Sequence, residues 1–275
     1  MEVQEQGRQS MYTHADHTFA VCAYKESPYL QECIESLRSQ TATTRIILCT
    51  STPGAYLEGI CRQFKIPLYV NQGESGIAAD WNYAVSCVDT PLVTIAHQDD
   101  RYEPAYAAHM LEAVNSAQHP LLFFTNYGEI REGNRVDSNT LLSIKRKMLA
   151  PLKRSGFKNS RFMRRRVLSF GSAICCPSVT MVLPNLETPI FQNELKCNLD
   201  WQAWERISKE PGAFLYDPGI LMYHRIHEES ETTALIRDNT RTHEDIQMLE
   251  LFWPKPLAHL LAWAYLKGQQ SNGGK

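Results

Sequence analysis

The sequence predicts an α/β fold: a Rossmann-like, mostly parallel sheet flanked by helices. Short apolar segments typical of buried strands alternate with longer segments that have the apolar spacing of amphipathic helices. The predicted strands of the first half begin about every 24 residues, the length of one βα unit. Apolar residues make up 43% of the 275 residues and charged residues 21%, a composition that supports a buried core.

The first half of the chain divides into successive strand and helix segments. Its predicted strands are 19–24, 45–50, 67–71 and 91–96, and the predicted helices between them are 27–40, 57–64 and 76–88. In the first helix, Ser27 is the expected N-cap and Pro28 the expected first helical residue. Right-handed crossovers should place the carboxyl ends of all four strands on one side of the sheet.

The second half departs from this regular alternation. A helix through 106–114 precedes an apolar strand at 120–127, and a second strand-like segment is GILMYHRIH. We predict a polar N-terminal tail, a single domain with two halves, and C-terminal helices. The predicted boundaries are 1–17 for the tail, 18–270 for the domain, 18–128 and 129–232 for the halves, and 233–270 for the helices.

Composition and motifs exclude several classes. The net charge of −2 and the absence of a recognisable module argue against nucleic acid. The eight cysteines include no C-x-x-C pair, which favours reduced core residues. No signal peptide and no run of about 18 apolar residues is found, so we expect a cytoplasmic protein. The segment PLAHLLAWAYLKG predicts either a terminal core helix or an interfacial helix at the inner face of a membrane.

Two adjacent acids, Asp99 and Asp100, follow the apolar strand 91–96 after His97 and Gln98. Open α/β sheets bind ligands at the carboxyl ends of their strands. Adjacent carboxylates repel each other unless a cation compensates them, and a divalent metal carrying a diphosphate is one solution. The alternative is a turn or a helix N-cap, for which Asp is also favoured.

Six motifs in order resemble the family 2 glycosyltransferases, which have the GT-A fold. They are Ala23-Tyr24-Lys25-Glu26, Gly76 with Asp80-Trp81-Asn82, His97-Gln98-Asp99-Asp100, CPSVTMV, LDWQAWERIS and YHRIHEES. The resemblance runs from about residue 18 to about residue 232. Two positions depart from the family pattern. Cys49-Thr50-Ser51 replaces an acid that contacts the base, and His97 replaces the first Asp of D-x-D.

The resemblance implies a role for each matched residue. Asp99 and His227 are the implied ligands of Mg²⁺ or Mn²⁺, and Asp200 is the implied general base. Without the resemblance, Asp200 is an acid favoured by a helix N-terminus. The implied donor-binding residues are Ala23, Tyr24, Glu26, Thr50, Asp80, Asn82, His97, Gln98, Asp99 and Asp100. His224 and His227 stand at odd spacing, which predicts that only one of them faces the site.

Residues 145–166 form a basic segment with ten Lys or Arg and no acid, whereas the rest of the chain has 18 basic and 30 acidic residues. The segment predicts a solvated surface or an anionic partner such as a lipid-linked acceptor, a phosphorylated glycan or an anionic membrane. We predict acceptor contacts for Trp201 and for Arg164, Arg165 and Arg166. Neutralising the three arginines together should barely change the melting point.

The resemblance implies an inverting, metal-assisted hexosyltransferase of polysaccharide biosynthesis. Its donor would be a UDP-sugar, and its acceptor a hydroxyl of a glycan or lipid-linked glycan. One alternative is a sugar-nucleotide-binding scaffold without turnover. A sugar-phosphate nucleotidyltransferase is less favoured because no Gly follows the first strand in CAYKESPYL. A nicotinamide enzyme is excluded similarly, since no strand is followed by G-x-G-x-x-G.

Overall fold

The computed structural model describes residues 11–74, 76–227 and 240–263. Most of the predicted tail, residues 228–232 of the closing motif and the end of the C-terminal segment lie outside this range. The described strands are β1 (His17–Ala23), β2 (Arg45–Thr50), β3 (Leu68–Val70), β4 (Leu92–His97), β5 (Arg101–Tyr102), β6 (Pro120–Arg131), β7 (Asn134–Val136), β8 (Val179–Val182) and β9 (Ala213–Ile226).

The described helices cover both faces of the sheet, as predicted. They are α1 (Leu30–Arg38), α2 (Ala55–Phe64), α3 (Ile77–Ser86), α4 (Tyr106–Asn115), α5 (Thr140–Leu149), α6 (Arg161–Leu168), α7 (Leu199–Ile207) and α8 (Thr240–Glu250), followed by a helix over 255–263. One apolar cluster packs α1, α2 and α4 against the sheet, and a second packs α3, α6, α7 and α8. No helix in the described residues is long and apolar enough to cross a bilayer.

The start predicted for the first helix is wrong. Helix α1 begins at Leu30 because residues 27–30 form a turn, in which Leu30 N–H donates to the Ser27 carbonyl at 3.3 Å. The Ser27 hydroxyl accepts from Tyr29 N–H at 3.3 Å and therefore stabilises this turn. The apolar face predicted for the helix is confirmed, since Leu30, Cys33, Ile34 and Leu37 are all buried.

One sheet contains all the described strands, in the order β3-β2-β1-β4-β8-β6-β9-β5, with β7 paired to β6. Strands β1 to β4 are parallel, which confirms the predicted βα repeat. The short strand β8 runs antiparallel between β4 and β6. The division predicted between residues 128 and 129 falls within β6.

Strand β9 pairs with β6 along nearly its whole length, but the register shifts midway. Thr125 pairs with Asp217, whereas Tyr127 pairs with Met222, so β9 has three more residues than β6 in this interval. Pro218 lies in this bulge. Proline has no backbone N–H, and at a bulge no hydrogen bond between the strands is lost because of it. Its carbonyl accepts from Asn126 Nδ2 at 2.6 Å, which holds the bulge in place.

Candidate active site

The acid pair lies at the point where the order of the parallel strands reverses. In the sheet order, β1 lies between β2 and β4. The chain therefore continues from β1 to β2 and β3 on one side of β1, and then crosses to β4 on the other side. Helices that leave in opposite directions open a crevice at such a position, where open α/β sheets bind ligands. Asp99 and Asp100 follow β4 directly, and Tyr24 follows β1.

Strand β5 fixes Asp100 against the end of β9. Arg101 pairs with Tyr223 in antiparallel register, so Asp100 reaches the next residues of β9. The Oδ1 atom of Asp100 accepts from Arg225 N–H at 3.0 Å and lies 2.9 Å from His224 Nδ1. The Asp100 carboxylate is buried, so these two contacts compensate part of the cost of removing its charge from water.

A second histidine contacts the other acid. His227 Nε2 lies 2.8 Å from Asp99 Oδ2. The prediction that only one of His224 and His227 faces the site is therefore wrong. Strand β9 ends at Ile226, so the alternation of side chains along a strand does not apply to His227.

The charges of these groups are coupled. Burial by itself would lower the pKa of His224, but Asp100 and Asp99 outweigh burial and raise this pKa to about 9. Burial by itself would raise the pKa of Asp99, but His224, His97 and His227 outweigh it and lower the pKa. At neutral pH the site therefore holds a charged Asp99 beside a protonated His224.

Three side chains at the end of β4 fit a divalent cation. His97, Asp99 and Asp100 each offer one ligand atom, and these atoms lie within 4.8 Å of one another. Asp100 Oδ2 and His97 Nε2 are buried and have no hydrogen-bond partner among the described residues. Carboxylate oxygens suit Mg²⁺ and Mn²⁺. His227 contacts Asp99, so its predicted role as a ligand stays a prediction.

Arg225 supports the acid pair from behind. Its Nε donates to the Asp99 carbonyl at 2.9 Å, and its guanidinium pairs with Glu32 of α1 at 2.6 Å. The guanidinium also lies over the Tyr29 ring, 4.2 Å from its centroid, and this ring is 5.4 Å from the His227 ring. Sequence reasoning missed this support, although Arg225 lies inside a quoted motif.

Gln98 connects the acid segment to the loop after β1. Its side-chain amide accepts from Tyr24 N–H at 3.2 Å and donates to the Tyr24 carbonyl at 3.1 Å. Tyr24 itself is 47% exposed, so its ring is available to a ligand. Gln98 thus acts within the protein by fixing the backbone beneath Tyr24.

The other residues predicted at the ends of β1 and β2 differ in accessibility. Ala23 is buried and Glu26 is exposed. Thr50 is buried, and its hydroxyl accepts from Thr52 N–H at 3.0 Å. The Thr50 hydroxyl thus helps to form the loop after β2, and the predicted contact between Thr50 and the base stays a prediction.

Two residues on α3 that were predicted to bind the sugar donor form hydrogen bonds with neighbouring loops. Asp80 accepts from the Ser51 hydroxyl and the Asn71 side-chain amide, each at 2.8 Å. The Asn82 carbonyl oxygen accepts both backbone N–H groups of 190–191, and its NH₂ group donates to the Phe191 carbonyl at 2.7 Å. The amide of Asn82 thus anchors the loop that precedes α7, and its predicted donor contact stays a prediction.

Trp81, between these two residues, was not predicted as a site residue. Its ring stacks on the His97 ring, with centroids 5.3 Å apart and planes inclined by 21°. Its other contact is an edge-to-face packing on Phe191. Trp81 therefore orients His97 beside the acid pair.

Asp200 lies in the first turn of α7, and its Oδ1 accepts from Trp201 N–H at 2.7 Å. Burial raises the pKa of Asp200, while this hydrogen bond and the charges of Lys145 and Arg241 partly oppose the rise. A carboxylate whose pKa is raised toward neutral pH is a better proton acceptor. Lys145 and Arg241 were not predicted individually.

Lys145 is the residue of the basic segment that acts on the site. Its Nζ donates to the Tyr127 hydroxyl at 2.9 Å. Its charge also partly opposes the raised pKa of His224 and the rise that burial causes in the pKa of Asp245. Lys145 thus lies where it influences both the acid pair and the implied base.

Two of the predicted acceptor residues are buried. Trp201 donates from Nε1 to the Leu168 carbonyl at 3.0 Å. Arg164 is 0% exposed, and its guanidinium donates to the carbonyls of Glu210 and Gly212. The predicted acceptor contacts of both residues are wrong, because each side chain lies in the protein core.

The next two arginines contact the C-terminal region. Arg165 pairs with Glu205 and lies over the Phe252 ring. Arg166 lies over the rings of Phe170 and Trp253, 4.5 and 4.8 Å from their centroids. The charge pattern alone could not distinguish these packing roles from acceptor binding.

Comparison with known proteins shows the family and the fold of the chain. The model of Glycosyl transferase family 2 matches residues 18–184. No curated protein sequence matches the chain. Among solved structures, TarS 1-349 from S. aureus has 12% sequence identity and a TM-score of 0.61, with 90% of this chain and 69% of that chain covered.

Two further structures have the same fold. The mannosyltransferase PcManGT from Pyrobaculum calidifontis, in complex with GDP-Man and Mn²⁺, has 13% identity and a TM-score of 0.58, with 96% and 77% of the two chains covered. Glucosyl-3-phosphoglycerate synthase from Mycobacterium tuberculosis, in complex with Mn²⁺, UDP and phosphoglyceric acid, has 12% identity and a TM-score of 0.54, with 83% and 78% covered. The family match spans more than half of the chain, so the protein belongs to glycosyl transferase family 2 and is a glycosyltransferase with the GT-A fold.

Proposed function

We propose that this glycosyltransferase moves a sugar from a UDP-sugar to a hydroxyl of a glycan or lipid-linked glycan, with inversion at the anomeric carbon. The observation that carries the proposal is the cluster of His97, Asp99 and Asp100 at the switch point of the sheet. Gln98, within the same segment, binds the backbone of Tyr24, and the exposed Tyr24 ring would offer a surface to a nucleotide base. The structure of PcManGT contains GDP-Man, whose nucleotide base differs from that of UDP. The choice of UDP is therefore part of the proposal.

In the proposed reaction, Asp99 and Asp100 would hold Mg²⁺ or Mn²⁺. The bound ion would neutralise charge that grows on the departing diphosphate. His224 and the Arg225 N–H keep the Asp100 carboxylate in place, and the Arg225 side chain holds the Asp99 backbone carbonyl. Asp200 accepts the proton of the acceptor hydroxyl as this oxygen attacks the anomeric carbon from the face opposite the diphosphate. A single displacement of this kind inverts the configuration.

The test is a calorimetric titration with UDP, with and without Mn²⁺. Asp99→Asn keeps the size of the side chain and removes its charge. The variant should lower metal-dependent UDP affinity tenfold or more, which is about 1.4 kcal/mol or greater. Asp89→Asn is the matched control, because Asp89 is an exposed acid at the opposite end of β4 and pairs with Arg45. Equal affinities for wild type and Asp99→Asn would remove Asp99 from the metal site.

A further prediction concerns Lys145 and the pH dependence of transfer. The positive charge of Lys145 stabilises ionised Asp200 and lowers its pKa. Lys145→Met should therefore raise the pKa of Asp200, and the acidic limb of the profile of kcat/KM against pH should move to higher pH. Lys147→Met is the control, because Lys147 lies on the same helix and is exposed. A profile that is the same for Lys145→Met and wild type would contradict the role of Lys145 beside the base.

A further inference from the structure

The helix over 255–263 packs Ala258, Leu261 and Ala262 toward the core and exposes three other large apolar residues. Leu257, Leu260 and Trp263 face outward at spacings of three residues, and Leu260 and Trp263 are 58% and 55% exposed. A helix that packs on a protein core normally buries its large apolar side chains, because burying one Leu side chain stabilises the fold by about 1.5–3 kcal/mol. The outer stripe of this helix is therefore suited to contact with another apolar phase.

Helix α6 extends this apolar stripe. Phe162, Arg166 and Phe170 follow one another at intervals of four residues, and Phe162 is 70% exposed. Phe170 packs on Trp253, with ring centroids 5.5 Å apart, and Trp253 lies four residues before Leu257. The two stripes are thus connected through Trp253. We call the exposed residues Phe162, Phe170, Leu251, Leu257, Leu260 and Trp263 the outer apolar surface.

Exposed cations occur on both elements that carry the outer apolar surface. Arg161 and Arg166 are exposed on α6, and Lys255 is exposed at the start of the last helix. Arg161 and Arg166 belong to the segment 145–166, in which ten Lys or Arg occur without an acid. Exposed Leu and aromatic side chains within a basic rim are typical of helices that lie in the plane of a membrane interface.

We propose that the outer apolar surface seats the protein on an anionic lipid membrane. Each basic residue near such a membrane contributes about 1 kcal/mol, and Trp and Phe are favoured at the level of the lipid headgroups. A second copy of the chain is a poorer fit. A two-fold contact places the same residues on both sides, so the arginines of one copy would face those of the other. The proposal does not depend on the identity of donor or acceptor, because binding is measured without turnover.

The test is sedimentation of the full chain with vesicles. Wild type should bind vesicles of phosphatidylcholine mixed with phosphatidylglycerol, and should bind pure phosphatidylcholine vesicles much less. Binding should weaken as salt is added, because exposed charges are screened. The double substitution Leu257→Ser and Leu260→Ser should lower partition into the anionic vesicles at least about tenfold. Lys255→Glu should lower binding to the anionic vesicles without changing binding to the neutral ones.

Tyr69→Ser is the matched control, because Tyr69 is a partly exposed aromatic residue on the edge strand β3. It should bind vesicles like wild type. Metal-dependent UDP affinity and the melting point, measured for every variant, show that each is folded, and Leu260→Ser alone provides a milder change. The proposal is overturned if wild type does not bind anionic vesicles, or if the double variant binds them as well as wild type. It is also overturned if sedimentation shows a wild-type dimer that the Leu substitutions dissociate without affecting vesicle binding.

Discussion

Replacing Asp200 with Asn is expected to lower the rate of sugar transfer by a factor on the order of 10²–10⁴, the usual effect of removing a general base. Asn keeps the oxygen that accepts from Trp201 N–H, so the first turn of α7 should stay intact. The amide cannot take up the proton of the acceptor hydroxyl. Metal-dependent UDP affinity should change little, because the proposed ligands of the ion are at the end of β4.

The measurement is the release of UDP from a UDP-sugar, together with calorimetric UDP binding. Glu194→Gln is the control, because Glu194 is exposed near α7 and contacts Gln202. Glu205 is a poor candidate for the base, since its two carboxylate oxygens pair with Arg165 and Lys209. Near wild-type turnover by Asp200→Asn would show that Asp200 is not the base. UDP binding without turnover in the wild-type protein would favour the scaffold alternative.

Arg164→Met should destabilise the fold by about 3 kcal/mol, or roughly a hundredfold in the folding equilibrium. The guanidinium donates to the carbonyls of Glu210 and Gly212, just before β9, and lies 5.3 Å from the centroid of the Phe214 ring. Hydrogen bonds from charged donors contribute more than neutral ones, and Met has a similar length without a donor. Burial lowers the pKa of Arg164 to about 10, so the side chain stays charged at neutral pH.

Unfolding in urea measures this effect. Arg161→Met is the matched control, because Arg161 lies on the same helix and is exposed, and it should change stability by less than about 0.5 kcal/mol. The expectation that the three arginines can be neutralised with little effect on the melting point therefore fails at Arg164. If Arg164→Met and Arg161→Met unfold at the same urea concentration, the buried hydrogen bonds contribute nothing measurable.

The fold was predictable because its signals are local. Each of the first four strands is an apolar run, and each following helix has its apolar residues on one face. Parallel pairing then follows from the alternation of strands and helices. The antiparallel insertion of β8 between β4 and β6 was not predicted, because strand order after residue 100 depends on contacts between distant segments.

The site was predictable where a residue's position in the fold determines its role. Asp99 and Asp100 follow a buried parallel strand, so their place at the crevice follows from the topology. Asn82 illustrates the limit, because the backbone groups that it binds are more than 100 residues away in sequence. Arg164 illustrates another limit, since its burial depends on how α6 packs beneath β9. The number of charges in the sequence does not distinguish this buried arginine from an exposed one.

The bulge in β9 restricts which changes of chain length this protein can accept. The three extra residues between Asp217 and Met222 set the face on which every later side chain of the strand lies. Neighbouring side chains on a strand point to opposite faces, so deleting one residue there would turn His224 away from Asp100. A substitution at Gly219 would change only local packing, whereas a one-codon deletion would separate the acid pair from its supporting strand. Natural insertions and deletions should therefore accumulate in the connections between elements and be rare in β9.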